Sequence, residues 1–192
     1  MEQVAPVAFQ VTMGIGLAAV TGLRTFLPMF VVALAGKLDW LPLSERFEWL
    51  GTWPAVIVFG VAVVVELLAD KVPVVDHVLD MLQVWVKPVA GAILATAVLT
   101  DLAPLEATAL GIIAGGSTAG LIHLAKAKVR LLSTVVTSGI ANPILSLIED
   151  LAALVGAIAA ITVPFLLAAA IVLCVVLLIV FIRRASLRAR RA

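Results

Sequence analysis

From Leu151 to Ile182 the chain carries no charged residue. That run is longer than the ~20 residues a helix needs to cross the hydrocarbon core of a bilayer. Pro164 lies inside it. Proline suits the first turn of a helix, where its missing N–H costs nothing. The run therefore reads as two helices, Pro143 to about Ile161 and Pro164 to Ile182. Four more apolar stretches precede them: Val7 to Ala35, Trp53 to Ala69, Val84 to Leu99 and Leu105 to Ala125. The expected fold class is all-α, a polytopic membrane bundle of about six transmembrane helices.

Composition agrees. Hydrophobic residues make up 64% of the 192 and charged residues 13%, and the mean hydropathy is +1.23. A soluble domain is ~45–50% apolar and ~25% charged. A small soluble protein could not hide this much apolar surface, whereas lipid can solvate it. Net charge is only +1, so bulk charge points to no nucleic-acid partner. The N-terminal residues Met1 to Pro6 include Glu2 and no basic residue, unlike a cleavable signal. Cys174 stands alone in an apolar run, which excludes an intramolecular disulfide and reads as a small hydrophobe.

Charge asymmetry sets the expected orientation. Arg183, Arg184, Arg188, Arg190 and Arg191 form a basic tail over residues 183–192. With six spans, Lys71, Lys87, Lys126, Lys128 and Arg130 fall on the same side as that tail, and only Lys37 and Arg46 on the other. Basic residues collect on the cytoplasmic side. Both termini are therefore expected in the cytoplasm, with the chain in a bacterial inner membrane and residues 1–182 as one domain. Trp40, Trp49 and Trp53 would mark the opposite interface.

The domain divides into possible halves, 1–100 and 101–182. Arg24 precedes Glu66 and Asp70 in the first. His123, Lys126 and Arg130 precede Glu149 and Asp150 in the second. Thr21-Gly22-Leu23 is echoed by Ala119-Gly120-Leu121. Three spans in each half would make an inverted repeat, a recurring transporter design with binding near the midplane.

A few intramembrane charges carry any chemistry there is. A carboxylate at the centre of a span costs about 2.5–3.5 kcal/mol or more, so Glu66 should face inward, pair or stay protonated. Asp70, four residues on, shares its helical face. Such a pair suits a hard cation or a shared proton, and Glu149 and Asp150 join it as candidate ion or proton ligands. Arg24 lies mid-span, four residues before Pro28, which removes the donor normally given to its carbonyl. It needs an acid such as Glu66, or a water-filled cavity. His123, Lys126 and Arg130 share one helical face that suits an anion or a lipid phosphate headgroup. Asp76, His77 and Asp80 read as a short amphipathic or re-entrant helix, an entry site for cations. Asn142 is placed to cap the following helix.

Several motifs resemble those of an uncharacterised bacterial membrane family, domain of unknown function 4126. They are Gly-Leu-Arg-Thr-Phe-Leu-Pro at 22–28, Glu-Leu-Leu-Ala-Asp-Lys-Val-Pro at 66–73, Val-Asp-His-Val-Leu-Asp at 75–80, Lys-Pro-Val-Ala-Gly at 87–91, His-Leu-Ala-Lys-Ala-Lys-Val-Arg at 123–130 and Ala-Asn-Pro-Ile-Leu-Ser-Leu-Ile-Glu-Asp at 141–150. The resemblance implies an integral membrane protein and no mechanism. The string from Glu66 to Lys71 also resembles the acidic motif of a cation/proton exchanger family, with one extra residue between the acids and no glycine.

No Ser-His-Asp order, phosphate loop or thiol metal set is present, so the expectation is a non-enzyme without a cofactor. Three readings follow. A small transporter or channel-like protein, coupled to a cation or proton, would show a wet cavity reaching Glu66 and Arg24. A lipid-binding or lipid-translocating protein would open laterally beside Lys126 and Arg130. A scaffold would have a solid core of ion pairs. A chain this short suits a homodimer.

Overall fold

In the computed structural model, residues 4–70, 73–138, 140–174 and 176 are described. Among them the secondary structure is helical, with no strand. Helix α1 spans Val4–Leu23 and α2 spans Phe26–Lys37. A 3-10 helix, Glu45–Gly51, leads into α3, Trp53–Ala69, and α4 spans Pro73–Ala97. Helix α5, Pro104–Leu110, continues through a π-helical turn, Gly111–Gly116, into α6, Ser117–Thr137. Helix α7 spans Asn142–Thr162, and α8 spans Pro164–Cys174.

Three of these stretches are long and apolar enough to cross a membrane: Pro6–Leu23, Pro104–Thr137 and Asn142–Thr162. A fourth is obtained if Glu45–Gly51 and α3, bent by 64° at their junction, count together. By length and composition the described residues thus hold three or four candidate spans, against about six expected. The expected third and sixth spans fall short of that length as described, at Met81–Ala97 and Pro164–Cys174. The first expected span differs in form. Val7 to Ala35 is not one helix but two antiparallel ones. Pro28 sits in the first turn of α2, where proline is tolerated, and the break falls before it, at Arg24 and Thr25.

Contacts fix the directions. Gly14 of α1 lies against Ala95 of α4, and Leu23 at the other end of α1 meets Lys87, so α1 and α4 are antiparallel. Just beyond α2, the Ser44 amide donates to the Ala97 carbonyl at 2.8 Å. Helix α2 has therefore returned to the end where α1 began. Met13 and Leu17 of α1 share one core cluster with Met29 and Val32 of α2 and Leu94 and Val98 of α4. The α1–α2 pair is a helical hairpin whose tip points into the bundle.

The hairpin also overturns the inverted repeat. Val11, Gly14 and Ile15 lie beside Leu110, Ala114 and Gly115, while Gly22 lies against Ala119 and Ile122. Helices α1 and α6 therefore run parallel, and the echoed strings around Gly22 and Gly120 meet side by side. The extra helix in the first half is what restores the same direction.

Other expectations are refined. Asp76, His77 and Asp80 fall in the opening turns of α4, a continuous helix rather than a separate short one; their side chains, like Lys71 and the arginine tail, lie outside the described residues. Asn142 is the first residue of α7 rather than its cap, and its amide donates to Thr134 at 2.9 Å. The division at Pro164 holds. Helix α7 ends at Thr162, Val163 leaves helical geometry at φ −140° and ψ 56°, and Pro164 opens α8.

The bundle is apolar outside, and small and polar residues join the large apolar ones inside. Leu151, Val155, Ile158, Phe165 and Leu166 are exposed, whereas Ala153, Ala157 and Ala160 are buried. Arg24, Lys87 and Glu66 are also buried. That inversion is the pattern of a protein solvated by lipid, whose helices meet through small residues. Cys174 is exposed on this apolar exterior. Trp40, Trp49 and Trp53 are exposed together near the α2–α3 turn, as an interfacial belt requires.

Close packing leaves little slack where α1 crosses α6. A Cβ at Gly22 would stand 2.5 Å from the Ile122 Cβ and 2.6 Å from the Ala119 carbonyl oxygen. We expect Gly22→Ala to destabilise the fold by about 1–3 kcal/mol through overpacking. Thermal unfolding in detergent checks this. An unchanged or raised midpoint would show that the crossing is not the tight contact described.

Candidate functional site

The hairpin tip ends in a buried polar network. Counting ~1.5 Å per residue, Arg24 lies about 21 Å along the helix from Gln10. Gln10 marks the other end of the bundle, where its side chain donates to Thr100 at 2.8 Å. On α7 the network reaches Asp150, about 12 Å in from Asn142. The tip is thus well inside the apolar belt. Irregular backbone is tolerated at that depth only where protein or a water-filled cavity satisfies it.

Each side of the break is met by ionisable groups. At the end of α1, the Leu23 carbonyl accepts from Lys126 Nζ at 3.0 Å and Lys87 Nζ at 3.3 Å. Cations suit the negative end of a helix dipole. At the start of α2, the Thr25 amide donates to Glu66 Oε1 at 3.0 Å and the Phe26 amide to Glu66 Oε2 at 3.1 Å. Gln83 Nε2 adds a bond of 3.1 Å to Oε1. The Glu66 carboxylate therefore caps α2 from the neighbouring α3, while Thr25, the cap residue itself, makes no side-chain cap bond.

Arg24 turns the other way. Its Nη1 lies 2.5 Å from Asp70 Oδ2, its Nε 2.5 Å from Asp150 Oδ1, and its Nη2 donates to Ser146 Oγ at 2.8 Å. Ser146 passes a bond of 3.0 Å on to Asp70. The expected Arg24–Glu66 pair is thus replaced by Arg24 with Asp70 and Asp150, because the amides of the break hold Glu66. Glu66 and Asp70 share a face of α3, yet they serve different partners rather than one common ion. Among the described residues, no group of three or more His, Cys, Asp or Glu side chains is placed to hold a metal.

The basic face of α6 forms as expected. His123 and Lys126 are buried, Arg130 is nearly so, and Lys128 points out. It faces protein acids rather than lipid. Lys126 Nζ lies 3.0 Å from Glu149 Oε2. Arg130 Nη2 reaches Glu149 Oε2 at 2.9 Å and Asp70 Oδ2 at 3.2 Å. His123 Nδ1 lies 3.2 Å from Lys87 Nζ.

Lys87 and Gln83 enlarge the site beyond its sequence expectation. In sequence Lys87 counts among the basic residues on the side of the arginine tail, near the start of the third apolar stretch. In the structure it is a wholly buried residue in the middle of α4. A signal was present: Gln83 and Lys87 are spaced i, i+4, which places them on one face. A groove of about 830 Å³ runs between α4 and α5–α6, lined by apolar side chains that include Pro88, Ile112 and Leu124. Neither Arg24 nor Glu66 lines it.

Removing Arg24 would strand the buried Asp70 carboxylate and the partly exposed carboxylate of Asp150. Breaking a buried pair by deleting one partner typically costs about 3–5 kcal/mol. We expect Arg24→Met to destabilise the fold on that scale, and Arg24→Met with Asp150→Asn to recover part of the loss. Thermal unfolding of the two variants in detergent tests this. Equal destabilisation by both would mean that Asp150 is not energetically coupled to Arg24.

No curated protein and no solved structure matches this chain. The sequence model of a family described as a domain of unknown function, DUF4126, matches residues 11–184. With apolar helices suited to a bilayer and a match over most of its length, the chain belongs to the DUF4126 family of unknown function.

Proposed function

We propose that this protein is a small secondary transporter coupled to a proton or cation, and that Glu66 is its coupling group. The observation that carries the reading is the helix break inside the apolar belt. Its two ends meet Glu66 on one side and Lys87 and Lys126 on the other. Discontinuous helices whose ends face charged groups are a recurring way to build a transport site.

A static lock is the competing reading, since Arg24 pairs directly with Asp70 and Asp150. Buried ion pairs stabilise little relative to apolar packing. One or two pairs would fix the register of α1 against α3 and α7. Arg24, Lys87, Lys126, Arg130, Glu66, Asp70, Glu149 and Asp150 together are more ionisable groups than register requires. Protonation of a capping carboxylate would loosen the break and let the hairpin tip move. The apolar groove beside Pro88 and Leu124 favours lipid handling as a second reading, because its apolar lining suits an acyl chain.

Proteoliposomes containing a pH-sensitive dye test the first reading. Under an imposed ion gradient, the parent should move protons and Glu66→Gln should fall to the level of empty vesicles. If no tested ion or solute produces a proton signal that depends on Glu66, coupled transport is wrong. Accelerated flip of a labelled phospholipid in the same vesicles would then support lipid handling.

A further inference from the structure

We propose that the N-terminal end of α2 is a binding site for a small monovalent anion, which Glu66 keeps filled until it takes up a proton. This deepens the transport reading, on which it rests for the role of Glu66, by naming a substrate class.

Two backbone amides, at Thr25 and Phe26, converge on one carboxylate. The start of a helix of 12 residues attracts anions through its free N–H groups and its dipole. In the resting structure that anion is supplied by the protein itself. A carboxylate held by amides is chemically a bound formate on a tether.

A second observation points to a ligand independently. The Thr25 hydroxyl is fully buried and has no hydrogen-bond partner. Leaving such a group unsatisfied costs about 1–3 kcal/mol. Sequence explains why it is idle. A threonine before a helix normally accepts from the amide two or three residues on. The third residue is Pro28, which has no N–H. Thr25 is also in helical geometry, at φ −73° and ψ −54°, outside the extended range that capping uses. Glu66 has taken over the cap, and the hydroxyl remains at the same helix end as a spare donor.

The surroundings let a proton decide who occupies the site. Gln83 of α4 donates to Glu66 and is uncharged. Lys87, one turn further along α4, is engaged by the Leu23 carbonyl and His123. Arg24, beside Thr25, is held by Asp70 of α3 and Asp150 of α7. Helix α2 has no charged residue before Lys37. A proton on Glu66 removes the one negative charge on the two amides. An incoming monovalent anion restores it, so the net charge at the break is the same before and after. The Thr25 hydroxyl then gains the acceptor that it lacks. Size restricts the ligand to something near the bulk of a carboxylate, such as formate or a halide.

The test uses the full chain in detergent, with sodium formate and sodium chloride as probes and sodium gluconate as a control of equal ionic strength. A ligand that binds the folded state raises the melting temperature by mass action. The parent should be stabilised by formate or chloride over gluconate, with apparent affinity rising as the pH falls, because one proton enters with each anion. Glu66→Gln should bind without pH dependence. Thr25→Val should melt no lower than the parent in gluconate, since its hydroxyl has no partner to lose, yet bind about tenfold more weakly. If Glu66→Gln does not fold, the parent and Thr25→Val still decide the matter. The proposal is overturned if neither probe outperforms gluconate at any pH, or if Thr25→Val binds like the parent. Proton flux that depends on Glu66 but needs neither anion would sink this site and leave coupled transport standing. Proton-linked binding without flux would do the reverse.

Discussion

Everything at the centre of this protein depends on how an interrupted backbone is satisfied away from water. Where α1 stops and α2 starts, carbonyl and amide groups lose their helical partners, and an unpaired one in hydrocarbon costs several kcal/mol. The protein answers with side chains from three other helices. Glu66 of α3 takes the amides, and Lys87 of α4 and Lys126 of α6 take a carbonyl. Those side chains carry charge of their own, so they need partners too. Lys126 recruits Glu149, Glu149 recruits Arg130, and Arg130 and Arg24 meet at Asp70. The network follows from the break as one requirement after another.

Packing makes the break possible. The hairpin can enter the bundle because α1 crosses α6 at Gly22 and α4 near Gly14 with little side-chain bulk between backbones. The same economy of volume continues between Gly115 and Ala95, where an added Cβ would stand 2.6 Å from its neighbour.

Much of this was legible in the sequence, and the misses share one cause. The cost of charges in lipid singled out Arg24, Glu66, Asp70, His123, Lys126, Arg130, Glu149 and Asp150 as residues needing partners, and the fold brought them together. The proline at 164 marked a true helix start. Hydropathy has no direction, however. A window from Val7 to Ala35 is equally apolar whether the chain continues or doubles back, so the hairpin was read as one span. That reading carried through to the inverted repeat. Lys87 counted only as a boundary charge for a related reason, since boundary and core lysines look alike until the helix around them is known. Partner choice within the network was beyond sequence as well. Only the fold shows that Glu66 answers backbone amides and leaves Arg24 to Asp70 and Asp150.

The hairpin has a consequence for how the chain is made. Helix α1 and the short α2 emerge from the ribosome first, with Arg24 between them. The carboxylates that hold this arginine, on Asp70 and Asp150, are synthesised later, the second of them near the start of α7. A lone arginine is resisted by the bilayer interior. The tip therefore reaches its final depth only after α7 has been translated, and burial of Arg24 is completed by helices made after it.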